Sequence, residues 1–164
     1  MTLDDANTIT RDQFVSSLGW VFEHSPWVAE RAWDRRPFAS IQQLHDAMIA
    51  EVLGARAEEQ LALLRAHPDL GARARMSDAS KGEQAGAGLD SLSRADFERL
   101  HTLNASYRER FGFPFLFAVK GRSTREILDA LEARLPASVE DERSEALRQV
   151  SRIAWFRLQD TIST

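Results

Sequence analysis

The sequence predicts an all-α fold of about seven or eight helices in a single domain, residues 1–164, with no sheet. Three observations carry that expectation. Helix-start patterns of the type Ser/Thr-x-x-Glu/Gln/Asp recur along the 164 residues, each followed by apolar residues three and four apart. Alternating polar and apolar stretches of strand type are missing. The one long apolar passage outside this pattern, Phe111 to Val119, is broken by Gly112 and Pro114 and has no second segment to pair with, so it reads as a buried extended stretch.

Taken in order, Thr10-x-x-Gln13 opens a helix carrying Phe14, Val15, Leu18, Val21 and Phe22. Ser25-Pro26-Trp27 offers a serine cap with proline at the first helical position, and a short helix follows to Trp33 before Arg35-Arg36-Pro37 breaks it. Ser40-x-x-Gln43 starts another, with Ile41, Leu44, Met48, Ile49 and Val52 on one side and Gly54 at its end. Arg56 to His67 follows on an Ala/Glu/Leu/Arg background, and Pro68 disfavours helical geometry in the residue before it. From Ala72 to Asp90 the pattern dissolves into a glycine-bearing stretch, read as a functional loop with room for a short helical turn around Glu83 to Ala87. Ser93-x-x-Asp96 begins a long helix with Phe97, Leu100, Leu103, Tyr107 and Phe111 inward. Ser123-x-x-Glu126 opens a helix through Leu135, and Ser138 caps a last one running to about Thr161.

Composition narrows the function classes. A net charge of −4 argues against a nucleic-acid partner, and no apolar stretch is long enough to span a bilayer. Without cysteine there is no disulfide, thiolate nucleophile or thiolate metal site. His24, His45, His67 and His101 show no paired metal-ligand spacing, so no metal is expected. Neither a signal peptide at Met1–Asp5 nor a Ser-Lys-Leu tail is recognisable, which makes the cytoplasm the default expectation.

Few residues remain that carry chemistry. His67 stands where a helix stops, beside the partial negative charge of its C-terminus, which favours the protonated ring and suits a proton donor. The plainer reading of His67 is a C-capping histidine with a solvated ring. Arg157 projects from the apolar side of the last helix, with Val150, Ile153 and Ala154. A guanidinium there needs an acidic partner or an anionic ligand, unless its stem lies on the core and its head reaches water. Ser80 and Glu83 fall in the glycine-bearing stretch, where a glutamate is ordinarily just solvated. Phe111 to Phe117 is core or the wall of an apolar pocket, with main-chain amides at hand.

In sequence order, His67-Pro68-Asp69-Leu70-Gly71, Ser80-x-x-Glu83-Gln84-x-x-Ala87-Gly88-Leu89 and Leu103-Asn104-x-x-Tyr107-x-x-Arg110-Phe111-Gly112-Phe113-Pro114-Phe115 closely resemble the OHCU decarboxylase family. The resemblance runs from Gly19-Trp20-Val21-Phe22-Glu23-His24-Ser25-Pro26-Trp27 to Arg157-Leu158, nearly the whole chain. It implies an all-helical protein, usually a homodimer, that decarboxylates 2-oxo-4-hydroxy-4-carboxy-5-ureidoimidazoline (OHCU) to (S)-allantoin without a cofactor. By position, His67 takes the acid/base role and Glu83 falls in the substrate shell, where the chemistry expects it to orient the imidazole or bond the ureido and ring N–H groups. Pro68, Ser80 and Gln84 fall in the substrate shell. Phe117, Ala118 and Val119 bring main-chain groups to the ring, and Arg157 matches the family's substrate-binding arginine. Two rival readings differ in class: a non-catalytic helical binding module, and a hydrolase of a ureido compound with His67 as base.

Overall fold

In the computed structural model, which describes residues 1–71 and 77–163, nine α-helices and no strand are found among the described residues. The chain divides into two compact units, Met1–Ala66 with Val150–Thr164, and His67–Gln149.

The first unit holds α1 (Leu3–Thr8), α2 (Arg11–Leu18), α3 (Trp27–Ala32), α4 (Ile41–Leu53), α5 (Ala57–Arg65) and the C-terminal half of α9 (Val139–Thr161). The starts follow the capping chemistry. Thr10 and Gln13 exchange side-chain and main-chain hydrogen bonds at α2, and the Ser40 hydroxyl accepts from the Gln43 N–H at α4. Phe14, Leu18, Phe22, Leu44, Met48 and Leu63 are fully buried here. Helix α1 lay outside the sequence expectation, although Thr2 and Asp5 form a capping box that opens it. Two boundaries also differ. The helix begun at Thr10 stops at Leu18, and Gly19–Val21 continue only as a 3₁₀ turn. Pro26, not Ser25, occupies the cap of α3, because the Ser25 hydroxyl is spent on the Glu23 carbonyl at 2.9 Å.

The second unit comprises α6 (Asp78–Gly86), α7 (Arg94–Phe111), α8 (Thr124–Arg134) and the N-terminal half of α9. The chief departure is α6. The Ser77 hydroxyl accepts from the Ser80 N–H, and a nine-residue helix stands where the glycines suggested a loop. Each glycine costs about 1 kcal/mol of helix propensity, and packing of Ser80, Gln84 and Ala87 overrides that. Residues 72–76 of the expected loop lie outside the described residues.

Helix α7 ends at Gly112, whose φ of 77° is the left-handed conformation that glycine adopts without a Cβ penalty. The passage after it is non-helical and buried, as expected, with Phe113, Phe115, Leu116, Ala118 and Val119 inside. Tyr107 organises the aromatics: Phe111, Phe113 and Phe115 have ring centroids 4.6, 6.0 and 5.4 Å from its own. Its hydroxyl donates to Glu142 Oε1 at 2.5 Å, and Arg134 Nε donates to the same oxygen at 2.6 Å. This buried triad ties α7, α8 and α9 together within the unit. Burial, and then the Glu142 carboxylate that accepts from its hydroxyl, push the Tyr107 phenol well above its ordinary pKa. None of the described helices is long and apolar enough to cross a membrane.

Candidate active site

The turn after α5 carries the candidate acid/base. Helix α5 closes with Ala66, whose N–H donates to the Ala62 carbonyl at 2.9 Å, so the chain leaves helical geometry just before His67 and Pro68. His67 is 6% exposed, which excludes the solvated, merely capping ring. Three consecutive residues behind it are held by side chains of the second unit. Arg108 Nη2 donates to Asp69 Oδ1 at 3.1 Å, Asn104 Nδ2 to the Leu70 carbonyl at 2.9 Å, and the Gly71 N–H to Gln84 Oε1 at 2.8 Å. Gly71 has φ +71°, and a Cβ there would stand 2.7 Å from Leu100 Cδ2, so any other residue is strained and displaces the leucine.

Helix α6 explains the spacing Ser80-x-x-Glu83-Gln84-x-x-Ala87. Offsets of three, four and seven place these residues on one helical face, and Ser80, Gln84 and Ala87 are buried there with Glu83 half-buried. Through Gln84 this face is bonded directly to the turn that carries His67. Within the second unit, then, the turn that begins with His67 and Pro68 is bonded to Gln84 at Gly71, with Ser80 and Glu83 on the same helix side as Gln84. That spacing is visible in the sequence; the two glycines masked it.

Phe117, Ala118 and Val119 lie on the buried passage between α7 and α8. The Ala118 N–H is already engaged, donating to Gln149 Oε1 at 2.9 Å, while Arg134 Nη1 donates to the Leu116 carbonyl at 2.6 Å. Phe115 and Phe117 stack with centroids 5.9 Å apart. Gln149 and Arg134 were not among the sequence candidates. Their signal was faint: a glutamine beside Ala146 and Val150 on the inward side of α9, and an arginine in the last turn of α8.

Arg157 belongs to the first unit, where it is 3% exposed. Its Nη2 donates to Glu23 Oε2 at 3.1 Å, and its Nη1 lies 3.3 Å from the carbonyl oxygens of Trp20 and Val21. Glu23 is 1% exposed, so the pair is a desolvated one whose charges depend on each other. Of the alternatives that the sequence left open, an acidic protein partner is present: Glu23, at the end of the otherwise apolar Trp20-Val21-Phe22 run. His24 beside it has φ 46°, a left-handed conformation uncommon outside glycine, and its Nε2 lies 3.7 Å from Glu23 Oε1.

A helical protein with a buried histidine on a side-chain-held turn, beside a helix face of polar residues, falls in the class of all-α proteins with a candidate small-molecule site. Comparison with known proteins narrows the class. A sequence model described as OHCU decarboxylase matches residues 7–159. A 2-oxo-4-hydroxy-4-carboxy-5-ureidoimidazoline decarboxylase of Haloferax volcanii is 50% identical over 164 residues, covering 100% of this chain and 98% of the relative. A protein of the same description from Halalkalicoccus jeotgali is 48% identical, covering 98% and 91%. Among solved structures, an (S)-allantoin synthase superposes with a TM-score of 0.81 at 35% identity, over 100% of this chain; the chain spans 55% of that structure's length. The chain belongs to the OHCU decarboxylase family.

Proposed function

We propose that this protein decarboxylates OHCU to (S)-allantoin in urate degradation, with His67 as the acid/base. What carries the reading is His67 itself: an ionisable ring, buried, on a turn held at Asp69, Leu70 and Gly71, in a chain of this family. An imidazole carried on a fixed turn is suited to deliver a proton to one face, which a stereospecific product requires.

The chemistry asks for little else. When the bond from C4 to the carboxylate breaks, its electron pair forms a double bond to the neighbouring ring carbon, and the carbon–nitrogen double bond already there passes its own pair to nitrogen. The substrate supplies this sink, so no organic cofactor is required. The nitrogen that receives the pair takes one proton from solvent; the C4 hydroxyl then gives up its own proton as it becomes a carbonyl, and the neighbouring carbon gains one. His67 bonds that hydroxyl and relays the proton. Glu83 orients the imidazole or accepts from the ureido and ring N–H groups, with Pro68, Ser80 and Gln84 shaping the surroundings. The main chain of Phe117, Ala118 and Val119 meets the ring, with the Ala118 N–H excluded by its bond to Gln149. By the family resemblance, Arg157 holds substrate oxygens through charge-assisted bonds.

One family match extends over both units, which supports reading them as one functional domain; a cytoplasmic homodimer completes the proposal. The test uses OHCU generated in situ and the circular dichroism of (S)-allantoin as it forms. His67→Ala should slow turnover by about 10²-fold or more. Unchanged turnover in that variant removes the acid/base role. Ammonia or urea released in place of CO₂ turns the reading into a hydrolase.

A further inference from the structure

The non-helical passage from Leu116 to Ala118 is gripped on both sides of one residue, and by side chains rather than by a neighbouring strand. Arg134 Nη1 donates to the Leu116 carbonyl at 2.6 Å, and Gln149 Oε1 accepts from the Ala118 N–H at 2.9 Å. Each peptide unit is planar and trans, so its C=O and N–H point in opposite directions. The Leu116 carbonyl and the Phe117 N–H share one such plane. The Phe117 carbonyl and the Ala118 N–H share the next. Holding one group of each plane therefore aims the other: Arg134 directs the Phe117 N–H, and Gln149 directs the Phe117 carbonyl, both away from the gripping side chains.

We propose that Arg134 and Gln149 are positioning residues that present the main-chain donor and acceptor of Phe117 as a matched pair for the N–H and C=O edge of a cyclic ureide. This rests on the reading that Phe117 meets the substrate ring. A ureide edge offers an acceptor and a donor side by side, and a main-chain pair with the two roles reversed reads it without a side chain.

Both grips are themselves held. Gln149 Nε2 donates to Glu145 Oε1 at 2.9 Å, which fixes the orientation of the amide and keeps its oxygen toward Ala118. Arg148 Nε donates to Glu145 Oε2 at 2.9 Å. Arg134 binds Glu142 through Nε, and its guanidinium lies over the Phe115 ring, 4.5 Å from the centroid. Gln149 is 5% exposed, so water is a poor substitute for its oxygen. A glutamine serving only to satisfy one buried amide would affect stability alone. One that aims Phe117 affects substrate affinity.

The experiment separates these. Gln149→Met keeps the length and removes the acceptor; KM for OHCU should rise about tenfold, and inhibition by added (S)-allantoin should weaken in parallel. The double variant E145Q/Q149E keeps an acceptor on the Ala118 N–H and a donor facing it from position 145, and should recover most of the loss. Arg134→Lys leaves a cation for Glu142 but cannot reach both Glu142 and Leu116, so it repeats the test on the Phe117 N–H if Gln149→Met does not fold. A KM unchanged in the single variants at temperatures well below melting overturns the proposal, as does a raised KM that the double variant leaves in place. Wild-type protein that does not consume OHCU overturns the decarboxylase reading itself. An active wild type with an indifferent Gln149 overturns only this inference.

Discussion

Tyr107→Phe isolates the buried triad that braces α7, α8 and α9 in the second unit. The substitution deletes one hydroxyl and leaves the ring among Phe111, Phe113 and Phe115. Glu142 then loses the donor at 2.5 Å but keeps Arg134, so its charge stays paired. A hydrogen bond from a neutral donor to a buried carboxylate contributes about 1.5–3 kcal/mol. For a chain of this size each kcal/mol moves the midpoint by about 2–4 °C, so Tm should fall by about 3–12 °C. The same hydroxyl imposes a pH dependence. The folded phenol is held above its ordinary value of about 10 by burial and by Glu142, whereas the unfolded chain ionises it near that value. Its stabilising effect is therefore complete below about pH 10 and is lost as pH rises above it toward the folded pKa. Tyr107 is the chain's single tyrosine, so phenolate absorbance reports this group alone. In an alkaline titration, absorbance and loss of far-ultraviolet ellipticity should rise together in the wild type, and Tyr107→Phe should lack that component of the alkaline slope. Phenolate appearing near pH 10 with helicity intact, or a variant as stable as the wild type, would refute the reasoning.

Gly71→Ala should cost about 1–3 kcal/mol in urea denaturation, because φ +71° is strained for alanine and its Cβ meets Leu100. It should also lower turnover more than stability alone explains, since Gly71 anchors the His67 turn to Gln84; full activity in the folded variant would count against that coupling. Glu23→Ala should destabilise by about 3–5 kcal/mol, the cost of leaving the buried Arg157 charge without its carboxylate. A thermal melt unchanged by that substitution would mean that the pair contributes nothing.

How much of this was legible beforehand depends on whether the signal was local. Capping chemistry is local: Thr10 with Gln13, Ser40, Ser93 and Ser123 all open helices where the sequence placed them. The same logic reached His67, since Pro68 and the end of α5 are neighbours in the chain. It failed at α6, where two glycines outweighed the three-and-four spacing, and at α1, whose capping box lies in the first residues. It failed differently at Arg157. Periodicity showed that a guanidinium stood on an apolar face, and left open whether its partner was protein or ligand.

By itself, the sequence determined the helical class, most helix starts, the break before Pro68 and the membership that the ordered motifs express. Those follow from hydrogen bonds and steric limits spanning a few residues. Only the tertiary structure decided that Glu23 answers Arg157, that Asn104, Arg108 and Gln84 hold the turn of His67, and that Arg134 and Gln149 turn the peptide planes around Phe117. Each of those bonds joins residues at least 13 positions apart, and no periodicity within one helix says which distant backbone group a buried polar side chain will meet.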